Sequence, residues 1–334
     1  MEGLQLRAVG SSDAAKVRAD HPGLRVESDA KAIFEDPAIE LVVIATPNPL
    51  HAPMARAALA CGKHVVVDKP FTETWLQARE LVDLADSAGR LLAVFHNRRW
   101  DGDFLTLRRL LGEARLGRPV MLESRFDRFR PQVQDRWRER PGPGSGVWFD
   151  LGPHLVDQAL VLFGLPDSLT ADIVTLRDGG QADDDFLVTL SYPRLRVLLR
   201  ASVLAAAPTP RFTLHGDGGA FVKPGTDPQE ADLRQGAAPG GLEWGLDREP
   251  GLYFSTDGAP PVPVEGERGD YRRFYGAIRD AVRGDGPNPV PAPEALKVMA
   301  ILELARESAA SGRRAPVADD PRLADALAVR RPLR

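Results

Sequence analysis

The sequence predicts an α/β plus α+β protein, with a doubly wound parallel sheet followed by a large, mostly antiparallel open sheet. Three observations carry this. Short apolar runs alternate with helix-like stretches up to about residue 95, the spacing of βα units. Beyond that point, strands with alternating inward and outward positions dominate. At 334 residues the chain also exceeds what one hydrophobic core usually serves. The expected divisions are 1–96, 97–315 and a tail at 316–334.

Taken in order, LQLRAVGSS (4–12) reads as a strand ending in small polar residues, with a helix starting in DAAKVRAD. ELVVIATP (40–47) is a continuous apolar run, as a strand covered on both faces would be. A helical MARAALACG follows, with Gly62 placed to cap it, and then the strand HVVVDKP. TETWLQARELVDLADSAG is an amphipathic helix with Thr74 and Gln77 at capping-box spacing, and LLAVF (91–95) is the next strand. Four such alternations argue for a Rossmann-like sheet, whose ligands lie beyond the carboxyl ends of its strands. Those ends carry SSD, ATPN, DKP and FHNRRW, so four polar clusters converge on one edge. Asp68 and Lys69 then border a site. A solvated strand end would explain that pair alone, and the other three clusters argue against it.

A dinucleotide-binding sheet ordinarily opens with a strand, a glycine-rich turn and a helix whose N–H groups hold the pyrophosphate. Residues 1–41 contain no G-x-G-x-x-G, and LQLRAVGSSD fits the second strand, which meets the adenosine ribose. The first βα unit is therefore expected to be absent, with the chain beginning one unit late. Ser11 and Ser12, in place of a ribose-binding carboxylate, would tolerate a 2′-phosphate and so favour NADP while leaving NAD possible.

In the second half, VMLESRFDRF, LTADIVTLRD, DFLVTLSYP, LRVLLRASVLA and RFTLHGDGGAFVKP read as strands, flanked by helices such as YRRFYGAIRDAV and APEALKVMAILELARESAASG. Residues 224–263, rich in Gly, Pro and charge, read as long surface loops. The stretch DLGPHLVD sets Asp150 and His154 four apart and Asp157 three beyond His154, so on a helix they share a face. An imidazole beside a carboxylate suits proton transfer near neutral pH. A buried histidine satisfied by its aspartate accounts for the same spacing. No third clustered ligand accompanies the pair, so no metal is expected.

The run RFDRFRPQVQDRWRER interleaves arginines with aromatic residues. Such runs bind nucleic acid or phosphate, but the net charge of −4 gives no general attraction to nucleic acid. A loop bordering a small polar substrate is the preferred reading, with Arg130 and Trp137 as candidate contacts. Arginines merely paired to acids on a solvated surface are the alternative. No apolar run reaches the roughly 18 residues of a membrane span. The single cysteine, Cys61, permits no intrachain disulfide, and no secretory signal opens the chain, so a reducing, cytoplasmic setting is expected.

DKP after a valine-rich strand, TPNPLH before it and DLGPHLVD later resemble the Gfo/Idh/MocA family of nicotinamide-dependent sugar and polyol oxidoreductases. FHNRRWDGDFLTL, RFDRFRPQVQDRWRE and LGPHLVDQALVLFGLP narrow the resemblance to a bacterial subgroup that includes NADP-dependent scyllo-inositol dehydrogenases. The resemblance implies that Lys69 lies between nicotinamide and substrate, and that Asp150 and His154 are the catalytic helical pair. It implies that Thr46, Pro47, Asn48, His51 and Asp68 lie beside the cofactor, Asn97 and Arg98 near the nicotinamide, and Ser11, Ser12 and Lys16 at the adenosine end. The substrate is then a small polyol or sugar, and copies of the chain pair as a homodimer or homotetramer through the second sheet. The competing expectation, raised by the missing glycine turn, is a sugar-binding or structural homologue without catalysis.

Overall fold

The computed structural model describes residues 1–329. The chain forms two compact units, one from Met1–Phe95 with Phe274–Ala295, the other from His96–Arg273 with Leu296–Val329.

In the first unit, β1 (Ala8–Gly10), α1 (Ala14–Asp20) and β2 (Arg25–Glu27) make a parallel βαβ turn, α1 being capped by the Asp13 carboxylate on the Lys16 N–H. After the short α2 (Lys31–Phe34), β3 (Leu41–Ile44), α3 (His51–Ala60), β4 (His64–Asp68), α4 (Trp75–Ala88) and β5 (Leu92–Phe95) follow as predicted. β3, β4 and β5 form a parallel sheet with Ile44 opposite Val67 and Asp68 opposite Phe95. The expected parallel strands thus fall in two sheets that share no ladder among the described residues. Val65, Val66 and Val67 are wholly buried, because helices cover both faces of a parallel sheet. The Thr74–Gln77 capping box opens α4, and Gly89 ends it in the left-handed conformation.

The second unit opens with α5 (Gly102–Gly112), β6 (Pro119–Arg125) and α6 (Gly146–Phe163). The strands β7 (Ser168–Val174), β8 (Asp185–Tyr192), β9 (Leu195–Ser202), β10 (Phe212–Gly216) and β11 (Gly219–Lys223) come next. α7 (Gln229–Arg234) and β12 (Gly251–Phe254) lie within the stretch expected to be loops, and β13 (Val262–Val264) overlaps its end. These strands are short and sit at the sheet's edge, where Gly251 lets β12 approach closely: a Cβ there would stand 2.2 Å from the Phe221 ring. Then come α8 (Arg272–Arg283), α9 (Ala292–Ser311), β14 (Ala315–Pro316) and α10 (Pro321–Ala328).

Two expectations change here. Residues from Phe274 to Ala295, read as part of the second domain, group with the first, where Phe274 packs on Phe95 at 4.9 Å. The tail is structured, since β14 pairs with β7 and α10 buries Leu323 and Ala326; its last five residues, 330–334, lie outside the described range. The sheet runs β13-β12-β11-β10-β6-β9-β8-β7-β14, antiparallel except for β6 and β9. Its strands alternate cleanly, Leu195, Val197, Leu199 and Ala201 of β9 facing inward.

α6 packs on β8 and β9 and holds twelve buried residues, which explains why it passes unbroken through Gly152-Pro153. Gly152 is required there: a Cβ would stand 2.6 Å from the Trp148 ring, itself buried, with its Nε1–H donating to the Leu302 carbonyl at 3.0 Å.

Candidate active site

In the first unit, the parallel register brings the segments that leave β3 and β4 to one edge. Thr46 and Asn48 follow β3, and Asn48 is buried. Among the described residues the buried Thr46 Oγ1 has no hydrogen-bond partner, a hydroxyl that a ligand's polar group would satisfy. At the end of β4 the Asp68 carboxylate accepts the Lys69 backbone N–H at 2.8 Å, and the Lys69 side chain is part-exposed. Burial, with the Asp68 charge, pushes the nearby Tyr275 phenol up to about 12. Hydroxyl, amide and ammonium groups at this edge suit the ribose hydroxyls and carboxamide of a nicotinamide nucleotide. His51, expected beside the cofactor, opens α3 after the same segment. Its ring is buried, with Nδ1 2.8 Å from the Pro70 carbonyl and Nε2 2.9 Å from that of Thr46, so it braces the two loops.

At the end of β1 the Ser11 hydroxyl accepts the Asp13 N–H at 3.1 Å, which leaves Ser12, exposed, as the freer of the two serines. Lys16 is exposed on α1, and Pro47 is exposed after β3. Asn97 and Arg98 open the 3-10 turn Asn97–Trp100 that follows β5.

In the second unit, Asp150 and His154 lie one turn apart on α6, Asp150 part-exposed and His154 4% exposed. Asp157, the other carboxylate near His154 in sequence, is held by Arg99 through two hydrogen bonds of 2.9 and 2.6 Å. Burial works to raise the Asp157 carboxyl, but the Arg99 charge and hydrogen bonds, with His96, hold it below the usual carboxylate range.

The ring of Phe126 stands 6.5 Å from that of His154, with the guanidinium carbons of Arg98 and Arg211 at 4.5 and 3.9 Å from its centroid. Arg98 donates to Asp101 at 3.1 Å and to Glu230, and Tyr271 donates to the other oxygen of Asp101 at 2.8 Å. Arg211 donates to Gln158 at 2.6 Å and to Ser124 at 2.8 Å. Burial lowers the Arg211 guanidinium to about 10, against the pull of Asp103. This buried lattice backs the wall beside His154.

The basic run divides. Arg125 is engaged by Glu123 and Asp127, and Arg140 by Asp135. Arg128 and Arg138 instead flank Asp150 at 3.9 and 3.7 Å, while Arg130 is exposed and Trp137 part-exposed under Arg138, 4.8 Å from its ring. Arg128 and Arg138 were not singled out from the sequence. The signal for Arg128 was there in the alternation Leu122, Ser124, Phe126, buried positions that it continues. Among the described residues no group of three or more His, Cys, Asp or Glu could hold a metal ion, and no helix is long and apolar enough to cross a membrane.

Comparison with known proteins assigns both halves. Residues 1–96 match the Gfo/Idh/MocA domain described as an oxidoreductase family, NAD-binding Rossmann fold, and residues 108–318 match its C-terminal alpha/beta domain. The uncharacterized oxidoreductase YdgJ of Escherichia coli is 54% identical over 309 residues, covering 92% of this chain and 89% of its own. The scyllo-inositol 2-dehydrogenase (NADP(+)) IolW of Bacillus subtilis is 37% identical over 319 residues, covering 92% and 87%. The crystal structure of an oxidoreductase from Klebsiella pneumoniae superposes with a TM-score of 0.91 at 47% identity, covering 98% of this chain and 92% of that one.

Proposed function

We propose, from the premise that this chain belongs to the Gfo/Idh/MocA oxidoreductase family, that it transfers a hydride between NADP and a ring secondary alcohol of an inositol-like polyol or sugar. The observation that carries the reading is the buried His154 set one turn from Asp150 on α6. Likeness to IolW supports the choice of polyol and of NADP over NAD.

The chemistry follows from the alcohol. A secondary hydroxyl releases hydride only as its proton leaves, so a base and a nearby cation must act while the C–H bond breaks. His154 takes the hydroxyl proton, and Asp150 orients the imidazole. Lys69 stabilises the developing alkoxide and positions the substrate. A bound nicotinamide would supply the hydride acceptor, the alcohol becoming the ketone. Thr46, Pro47, Asn48, His51 and Asp68 would lie beside the cofactor, Asn97 and Arg98 near its nicotinamide, and Ser11, Ser12 and Lys16 at the adenosine end. Arg130 and Trp137 border the substrate. Copies of the chain pair through the half-exposed face of the large sheet, where Leu187 and Leu198 lie among polar residues.

The test is a fluorescence titration with NADPH and NADH, followed by cofactor reduction with scyllo-inositol and other cyclic polyols. Saturable NADPH binding, tighter than NADH, with turnover of at least one polyol is expected. A folded protein that binds neither nucleotide overturns the reading in favour of a non-catalytic homologue.

A further inference from the structure

The arginines around Asp150 differ from their neighbours in what they are bonded to. Arg125 has two carboxylates at 3.0 and 2.8 Å, and Arg177 has Asp184 at 2.9 Å and Glu139 at 3.1 Å. Arg128 has no side-chain hydrogen bond among the described residues, and its one ion pair, with Asp150, spans 3.9 Å, beyond hydrogen-bonding reach. Arg138 reaches Asp150 only at 3.7 Å, and Arg130 has no ion pair among the described residues. A guanidinium carries five N–H donors in a planar fork, and leaving such donors unmet in a part-buried place is unfavourable. The side chain of Arg128 is 28% exposed, and burial and the Arg130 charge draw its basicity down. Arg128 and Arg138 thus face one carboxylate, at 3.9 and 3.7 Å, on the helix that carries His154, with the charges of Arg130 and Glu230 also acting on Arg128. That imbalance exceeds what a neutral polyol requires.

We propose that the substrate of this site carries an anionic group, a carboxylate or a phosphate, on its hydroxylated ring or chain. Arg128 grips it through its fork, Arg138 and Arg130 add charge, and Asp150 accepts the hydroxyls of the same molecule. The inference rests on the dehydrogenase reading for its chemistry, but it makes a separate claim about charge. Asp150 would repel an anion lying directly on it. The two arginines that flank it must therefore hold the anionic group to one side, while the hydroxyls reach the carboxylate.

The experiment compares kcat/KM for neutral polyols and sugars with their acidic counterparts, a uronate for the carboxylate arm and a sugar 6-phosphate for the phosphate arm. Isothermal titration of each compound is run in parallel. The expected result is a preference of at least tenfold for one anionic arm, weakened by salt, with the anionic-to-neutral ratio falling at least tenfold in R128M and substantially retained in R128K. Circular dichroism checks that both variants fold. Equal or better use of the neutral compounds by the unaltered protein, or a ratio unchanged in R128M, overturns the proposal. If no compound reduces the cofactor, the dehydrogenase reading fails, and calorimetry still decides this one. Anion binding abolished in R128M upholds it, and absence of anion binding overturns it.

Discussion

On the function proposed above, Ser12 is the side chain at which a cofactor preference would be set. It stands exposed after β1, while the neighbouring Ser11 hydroxyl is spent on the Asp13 N–H. A carboxylate at such a strand end accepts from the 2′-hydroxyl of NAD and repels the 2′-phosphate of NADP. Ser12→Asp is therefore expected to weaken NADPH at least tenfold while leaving NADH unchanged or tighter, read from the two dissociation constants. Equal weakening of both would remove Ser12 from the adenosine end. On the proposed mechanism His154 is the corresponding residue for turnover. Removing a general base typically costs 10²–10⁴ in rate, so His154→Ala should lower kcat by about that factor and change NADPH affinity little. The Arg99 grip on Asp157 sharpens the prediction for Asp150: Asp150→Asn should lower kcat as well, because no second carboxylate near His154 is available to replace it.

At the scale of elements, α6 decides how well the site is formed. Gly152→Ala would ordinarily gain about 1 kcal/mol of helix propensity. Here the added methyl meets the Trp148 ring at 2.6 Å, and that ring is fastened to Leu302 and set edge-on to Phe186 at 4.9 Å. The substitution is expected to destabilise by about 1–3 kcal/mol, seen as a lower denaturation midpoint; a stabilised protein would show that the ring can move. Much of this level was legible from sequence, because local rules suffice for it. The valine run gave β4, the Thr74–Gln77 spacing gave the cap of α4, and DLGPHLVD placed Asp150 and His154 on one helix face. What escaped was either short or distant. β2, β12 and β13 have three or four residues each, too few to show a period. The lattice behind His154 joins Tyr271 to Asp101 across 170 positions and Arg211 to Gln158 across 53. No pattern within a strand or helix reports such pairings.

For the whole molecule, that lattice makes stability depend on pH. Asp227 is 6% exposed, and its carboxylate accepts from the Gly102 and Gln229 backbone N–H groups at 2.6 and 2.8 Å. Burial, with the Asp103 charge, nonetheless pushes it up to about 6. Asp101, fully buried among Arg98, Asp103, Asp227 and Tyr271, is raised in the same direction. An acid raised on folding binds its proton more tightly in the native state. Its stabilising contribution is therefore complete below the unfolded value of 3.8 and is lost as pH rises through the folded value of about 6. For a shift of this size the loss is roughly 2–3 kcal/mol. Asp227→Asn removes the titration but can accept only one of the two backbone donors without rearrangement, so the variant should be the less stable protein at pH 4. Its deficit should then shrink by that amount between pH 4 and 7 as the unaltered protein loses its advantage. Urea denaturation at half-unit intervals of pH measures the difference directly, and because Asp101, Asp157 and the arginines are common to both proteins, their contributions largely cancel. Parallel curves across the window would mean that Asp227 is ionised in the folded protein as readily as in the unfolded one, and that Arg211 and Arg98 neutralise the cluster more completely than their hydrogen bonds to Gln158, Ser124, Asp101 and Glu230 imply.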